Sequence, residues 1–201
     1  MKFILFISLL ISITFNANAS NSYDTKEVSM FIDYMAKKHG YKKNDLRNLF
    51  KNIKEEKKLK KFFKKAPERR LTWNGCKQNE KQCINYKSLF VTDHNIKNGK
   101  LFSDENYNNL KKASKTFGVP EEIIVAIIGI ETRYGKNLGN FKTFDTLASL
   151  SVGPNKGRRA DFYRSELENF LLLCRENNLD PSSIKGSYAG ALGKPQFISS
   201  S

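Results

Sequence analysis

The sequence has few of the residues that bind metal ions. It contains two histidines, His39 and His94, and three cysteines among 201 residues. Two isolated histidines do not make a set of metal ligands. We therefore expect no metal site in this protein.

Long apolar runs are also missing, apart from one at the start of the chain. Residues 3–15 are mostly apolar, but this run is shorter than the roughly 20 residues that a membrane-spanning helix needs. A lysine at position 2 precedes it, and Ala17 and Ala19 follow in the small-x-small pattern of a cleavage site. We interpret residues 1–19 as a signal peptide. This predicts export to the periplasm of a soluble protein without a stable membrane anchor.

Acidic residues are outnumbered, with 20 Asp and Glu against 35 Lys and Arg, which gives a net charge of +15. Such a charge attracts polyanions or anionic surfaces. Ten of the basic residues lie within residues 51–70. This segment is either a polyanion-binding stripe or the solvated face of a helix, and we favour the solvated face. It lacks the interleaved aromatic residues that stack on bases, so we expect no nucleic acid partner.

Two of the three cysteines lie close together in the sequence. Cys76 and Cys83 occur in a polar segment and can close a local disulfide, whereas Cys174 falls in an apolar helical pattern. In an oxidising compartment, we favour one stabilising bridge and one buried thiol over a redox or metal-binding role.

Strand patterns are nearly absent, and the periodicity of apolar residues predicts a mainly α-helical fold. Residues 20–65 carry two amphipathic patterns and are predicted to form a small N-terminal helical lobe. Residues 66–100 are irregular and are interpreted as a connection that lines a cleft. Residues 101–201 carry the remaining helical patterns and are predicted to form the main domain.

The most apolar helix covers residues 119–134, and Glu131 follows its run of isoleucines. A helix that is apolar on every side belongs in the interior of a domain. Burial and the negative end of the helix dipole would then both raise the pKa of Glu131 and suit it to act as a general acid. The alternative is a structural glutamate paired with Arg133.

Two further segments contain candidate binding residues. Arg158 and Arg159 stand at the start of a helix, where positive charge is unfavourable. They either bind carboxylates of a substrate or form a surface pair.

Residues 186–197 are rich in small residues, which allow the backbone to approach a ligand or permit tight packing. Their Gly193 and Lys194 do not complete a phosphate-binding loop.

In order, these segments resemble the lytic murein transglycosylase B family of periplasmic enzymes. The resemblance is carried by KHG at 38–40, residues 86–99, GVPEEII at 118–124, ETRYG at 131–135, RRA at 158–160 and GSYAGA at 186–191. It implies a lysozyme-like helical domain with Glu131 as the single catalytic acid and base. It places Tyr86, Ser187 and Gln196 at positions that contact the sugar or the acid. Arg158 and Arg159 fall near the peptide-bearing side.

The same resemblance implies cleavage of peptidoglycan glycan strands with formation of 1,6-anhydromuramoyl ends. One enzyme carboxylate suffices for this reaction, whereas most glycosidases use two. No metal or organic cofactor is required. We expect a monomer whose partner is the glycan strand of the cell wall.

The chain also departs from the family pattern. It stops at Ser201, where relatives continue through further helices, so we expect a domain without its C-terminal part and with an exposed apolar surface on the helix at 119–134. Lys194 and Pro195 stand where an aromatic residue and a glycine are more usual, which bears on the position of Gln196. A noncatalytic wall-binding or remnant protein is the alternative function.

Overall fold

The computed structural model describes residues 23–53, 59, 62, 71–72 and 84–201. Its helices are α1 Lys26–His39, α2 Lys43–Lys51, α3 Tyr86–Phe90, α4 Asp93–Glu105, α5 Tyr107–Phe117, α6 Glu121–Thr132, α7 Thr143–Ser151 and α8 Ala160–Glu176. Four short strands accompany them: β1 Leu71–Thr72, β2 Ile84–Asn85, β3 Phe141–Lys142 and β4 Lys185–Gly186. Strands β1 and β2 pair in parallel, and β3 and β4 pair antiparallel. The predicted mainly helical architecture is confirmed.

Helix α1 shows how local sequence sets the ends of an element. Thr25 caps its start by accepting a hydrogen bond from the amide of Val28 at 3.2 Å, and Gly40 ends it in the left-handed conformation, with φ of 71°. Thr and Gly are favoured at these two positions because one offers a side-chain acceptor and the other tolerates positive φ. Its apolar residues at helical spacing are buried: Val28, Phe31, Ile32 and Met35.

The main core joins both ends of the described chain. The ring of Phe50 in α2 lies 6.1 Å from Phe31 in α1 and 5.2 Å from Phe144 in α7, measured between ring centroids. Helix α7 is buried along its whole length and packs against α8. Burial of each large apolar side chain contributes about 1.5–3 kcal/mol. Packing therefore crosses the boundary predicted at residue 65, and the division into domains stays a prediction.

Helix α8 contributes the other side of this core. Its inward face carries Tyr163, Leu167, Phe170, Leu171 and Cys174. Cys174 is a free, buried thiol, as predicted, and burial raises its pKa to about 11. The Cys76 and Cys83 pair and the predicted signal peptide lie outside the described residues, as does most of segment 51–70.

Helices α4, α5 and α6 pack against one another beside the main core. Their buried side chains include Phe102 and Leu110. Residues 86–90 and 93–105 are helical, so the irregular connection predicted over 66–100 extends too far. The capping residues explain this difference: Asn85 accepts from the amide of Lys87, and Thr92 accepts from the amide of Asn95.

The prediction that α6 is surrounded by protein on every side was wrong. Ile123, Ile127 and Ile130 are 51%, 48% and 40% exposed. They recur four and three residues apart and so form one stripe on the helix surface. The exposure of these isoleucines agrees with the other expectation stated for this helix, that part of its apolar surface is exposed.

Of the helices in the described ranges, none is long and apolar enough to cross a membrane.

Candidate active site

Glu131 is the residue before the last in α6, and its side chain is exposed. It lies four residues after Ile127 and therefore on the same side of the helix as the exposed isoleucines. The burial predicted for Glu131 was wrong. Its role as the catalytic acid stays a prediction.

The alternative interpretation of Glu131, as the partner of Arg133, also differs from the structure. Arg133 follows the end of α6 with φ of 49°, and its side chain is exposed. Within the described part of the chain, Glu131 and Arg133 form no ion pair. Glu131 is thus a carboxyl group without a fixed cationic partner among these residues, at the end of an open helix face.

A tight turn follows Glu131. Arg133 and Tyr134 both have positive φ, 49° and 62°, and the amide of Tyr134 donates to the carbonyl of Ile128 at 3.3 Å. The ring of Tyr134 explains why two positions in the adjacent helices are occupied by glycine. A Cβ added at Gly99 of α4 would lie 2.7 Å from the hydroxyl oxygen of Tyr134, and one at Gly129 of α6 would lie 2.7 Å from both this oxygen and the ring carbon that bears it. Only glycine lets the ring pack so closely.

Thr132 connects this turn to the end of the chain. Its side chain is fully buried. The hydroxyl donates to the carbonyl oxygen of Lys194 at 2.8 Å, and the carbonyl oxygen of Ile128 lies 3.2 Å away. The same hydroxyl accepts a hydrogen bond from the amide of Gly135 at 2.9 Å. The residue next to Glu131 is therefore bonded to a segment 62 positions later.

That segment is a closed loop, which we call the 192–197 loop. Leu192 and Phe197 exchange two backbone hydrogen bonds, at 2.8 and 3.1 Å. Inside it, Gln196 has φ of 51°, and its Nε2 donates to the carbonyls of Gly193 at 3.0 Å and Leu138 at 3.3 Å. The bond from Thr132 to Lys194 joins the loop that contains Gln196 to the end of the helix that carries Glu131.

Ser187 lies in the tight turn that follows β4. Its Oγ accepts hydrogen bonds from the amides of Ala191 at 3.0 Å and Ala189 at 3.3 Å. A Cβ at Gly139, whose φ is 90°, would lie 2.0 Å from the carbonyl oxygen of Gly186. Backbone therefore packs tightly on backbone at this point, where Gly139 meets Gly186.

An aromatic group stands beside Ser187, and the sequence did not reveal it. The ring of Tyr188 stacks on Phe62 at 5.1 Å, with 18° between the ring planes, and Phe62 meets Phe141 edge to face at 5.4 Å. Phe62 is 43% exposed. The adjacency of Tyr188 to Ser187 is a weak signal, whereas the contact with Phe62 is a product of the fold.

The two arginines differ in their surroundings. The guanidinium of Arg159 lies over the ring of Phe162 at 4.3 Å and near that of Tyr163 at 5.6 Å. These cation–π contacts account for a positive charge at the start of α8. Burial raises the pKa of the Tyr163 hydroxyl, and Arg159 opposes that rise. Arg158 is exposed.

Tyr86 begins α3, and its ring packs on Phe90 at 4.6 Å, within the same helix. The bond from Thr132 to Lys194 thus links the loop of Gln196 to the end of α6, while Tyr86 and Arg159 have their described ring contacts elsewhere. In the residues that the structure describes, no three His, Cys, Asp or Glu side chains come together in a group that could hold a metal ion.

A groove of about 460 Å³ lies between α1 and α8. None of the predicted site residues lines it, so its size alone does not identify it with the site. The groove is lined by Glu27, Met30, Phe31, Tyr34, Asp161, Arg164, Ser165 and Glu168.

The sequence of this chain is similar to a known family and to a known protein. Residues 24–201 match the family model described as transglycosylase SLT domain. Over 176 residues, the chain is 38% identical to the membrane-bound lytic murein transglycosylase B of Escherichia coli strain K12, a match that covers 85% of this chain and 46% of that protein.

Solved structures are similar as well. The soluble lytic transglycosylase SltB1 of Pseudomonas aeruginosa is 36% identical with a TM-score of 0.74, covering 87% of this chain and 55% of that one. Escherichia coli Slt35 in complex with bulgecin A is 36% identical with a TM-score of 0.75, covering 88% and 53%. The chain spans about half the length of these relatives. The likeness confirms the predicted lysozyme-like helical fold.

Proposed function

The chain belongs to the family of transglycosylase SLT domains, and from this premise we propose that it is a lytic transglycosylase of peptidoglycan. The bond cleaved is the one between N-acetylmuramic acid and N-acetylglucosamine. The similar proteins are named for lytic transglycosylase activity and are about twice as long as this chain. The matched residues 24–201 include every predicted site residue, which supports the same activity here.

In the proposed reaction, Glu131 first acts as a general acid. It gives its proton to the glycosidic oxygen while the bond from that oxygen to C1 of the muramoyl residue breaks. The carbonyl oxygen of the substrate's own N-acetyl group then bonds to C1 and relieves its positive charge. Glu131, now a carboxylate, removes the proton of the C6 hydroxyl. O6 attacks C1 and displaces the N-acetyl oxygen, which leaves a 1,6-anhydro end without consuming water.

The observation that carries this proposal is the hydrogen bond from Thr132 to the carbonyl of Lys194. It joins the end of α6, which carries Glu131, to the 192–197 loop, which contains Gln196. A single acid suits a mechanism that needs only one enzyme carboxylate. Tyr86, Ser187, Arg158 and Arg159 are proposed as further substrate contacts.

The substrate and location follow from the same proposal. A net charge of +15 favours binding to a wall polymer whose stem peptides carry carboxylates, although salt screens this attraction. We propose that the protein acts on glycan strands in the periplasm as a monomer, without a nucleic acid partner or a stable membrane anchor.

The decisive experiment compares Glu131→Gln with Glu122→Gln, a control in the first turn of the same helix whose side chain is also exposed. Each protein is incubated with purified sacculi, and the released muropeptides are analysed by mass spectrometry. We expect anhydro-ended products from the wild type and the control. Loss of the acid should lower their rate of release at least about 100-fold. Equal release by Glu131→Gln would remove Glu131 from the proposed role.

A wall-binding protein without turnover is the second candidate function. The exposure of Glu131 and of the isoleucine stripe on α6 favours it, because the acid lacks the dry surroundings that general-acid catalysis prefers. The same digest separates the two candidates. Retention of the wild type on sacculi without any released fragment would support the binder.

A further inference from the structure

Two buried side chains outside the predicted sugar contacts hold the 192–197 loop in place. We propose that Thr132 and Glu166 are positioning residues, which fix this loop and the side chain of Gln196 against the end of α6 that carries Glu131. The proposal rests on the proposed function for its effect on catalysis. The anchoring itself is a property of the fold.

Thr132 holds the middle of the loop. A hydroxyl has one proton to donate, and the 2.8 Å distance to the carbonyl of Lys194 makes this bond shorter than the 3.2 Å contact with Ile128. Because the hydroxyl also accepts from Gly135, it is bonded on both sides and has no freedom to turn away. Thr132 is fully buried, so water cannot replace these partners.

Glu166 holds the chain just after the loop. This residue of α8 is 4% exposed, and both of its carboxylate oxygens accept from Ser200. Oε2 accepts from the backbone amide at 3.1 Å, and Oε1 accepts from the hydroxyl at 2.7 Å. A buried carboxylate is costly unless it is hydrogen-bonded, and a pair of bonds to one residue fixes that residue in direction as well as distance.

The two anchors act on opposite sides of Gln196. Thr132 bonds position 194, Glu166 bonds position 200, and the backbone pair between Leu192 and Phe197 closes the loop between them. Release of either anchor lets the loop shift relative to Glu131. A displacement of about 1 Å from productive geometry can cost 100-fold in rate. The loss is therefore expected in kcat, with binding of the strand largely kept.

The experiment uses Thr132→Val, which keeps the shape of the side chain but removes its hydroxyl, and Glu166→Gln. Thr132→Ser restores the hydroxyl and serves as the rescue variant. The matched control is Thr146→Val, because Thr146 is also fully buried in a helix but its hydroxyl has no hydrogen-bond partner among the described residues. Initial rates are measured on solubilised peptidoglycan strands. Amide hydrogen exchange at Leu192 and Phe197 is followed in parallel.

We expect Thr132→Val and Glu166→Gln to lower kcat about 10- to 100-fold with KM within about threefold, and Thr132→Ser to recover kcat to within about threefold. The two loop amides should exchange at least about tenfold faster in both variants and not in Thr146→Val. Wild-type kcat in both variants, or an equal loss in Thr146→Val, would overturn the proposal.

The two proposals fail in different ways. If the wild type releases no product, the proposed function fails, and hydrogen exchange alone then tests the anchors: faster exchange in Thr132→Val supports them, and unchanged exchange overturns them. If Thr132→Val does not fold, Ser200→Ala tests the other anchor by the same measurements. That variant removes one of the two bonds to Glu166 and changes only an exposed residue.

Discussion

The Nε2 atom of His39 lies 2.7 Å from Oε1 of Glu168, which ties the last turn of α1 to the middle of α8. The same carboxylate accepts hydrogen bonds from Nζ of Lys38 at 2.9 Å and from the hydroxyl of Tyr34 at 3.0 Å. His39 and Glu168 are each only 16% exposed at their side chains, so this contact is a partly buried one. It stabilises the packing of the N-terminal helices on the main core.

Glu168→Gln should therefore destabilise the protein at neutral pH by about 1–3 kcal/mol, since the charged acceptor of three donors is lost. Burial alone would raise the pKa of Glu168, but the hydrogen bonds from Lys38, His39 and Tyr34 outweigh it and lower the pKa below its usual value. A lowered pKa stabilises the folded protein above the pKa of the unfolded chain. That contribution is lost as the pH falls through the folded value.

Urea unfolding of the wild type and Glu168→Gln from pH 7 to pH 3 measures this effect. The difference in unfolding free energy should be largest near pH 7 and should begin to shrink near pH 4.5, where the glutamate of the unfolded chain becomes protonated. Glu176→Gln, an exposed change near the end of the same helix, serves as the control. A gap that stays constant over this range would show that the carboxylate charge is not its source.

Gly139→Ala should destabilise the turn that carries Ser187. The added methyl group would meet the backbone of Gly186 at 2.0 Å, and the φ of 90° is itself unfavourable for alanine. We expect a loss of about 2–4 kcal/mol in unfolding free energy. Gly157→Ala is the matched control, because a Cβ there meets nothing within 4 Å, and it should change stability by less than about 1 kcal/mol. Similar melting curves for the two variants would contradict the tight packing.

Arg158 and Arg159 should separate in stability measurements. Arg159→Gln removes the contacts with the rings of Phe162 and Tyr163 and should cost about 0.5–1 kcal/mol. Arg158→Gln removes an exposed charge and should cost less than about 0.5 kcal/mol. If both arginines also bind carboxylates of the wall, each variant should be eluted from sacculi at lower salt than the wild type. Unchanged elution of both would leave Arg159 with a structural role alone.

Sequence patterns were sufficient where the controlling interactions are local. The helical spacing of the apolar residues of α1 and the glycine after it agree with its buried face and its C-terminal end, and the pattern ending at Cys174 predicted the inner face of α8. The exposure of α6 was harder to predict, because apolar composition shows that a helix can be buried but does not show which elements cover it. Helix α4 was missed in part because its capping threonine stands in a polar stretch.

In the candidate site, too, some features follow from local sequence and others only from the packing of distant segments. Glu131 and Gln196 are predicted as site residues from the order of short motifs in the chain, and their roles stay predictions. The tie between Thr132 and Lys194 spans 62 positions and that between Glu166 and Ser200 spans 34, and neither leaves a local signal in the sequence. Contacts of this kind arise only when the helices have packed, so they become visible only in the folded molecule.

The acceptor that Thr132 uses is a main-chain oxygen, and this gives position 194 an unusual tolerance to substitution. Any residue there presents the same carbonyl, so the tie depends on the path of the backbone and is indifferent to the chemistry of the side chain. The side chain of Lys194 is thus free to place its ammonium group 5.2 Å from the ring of Phe102 while Thr132 keeps its bond.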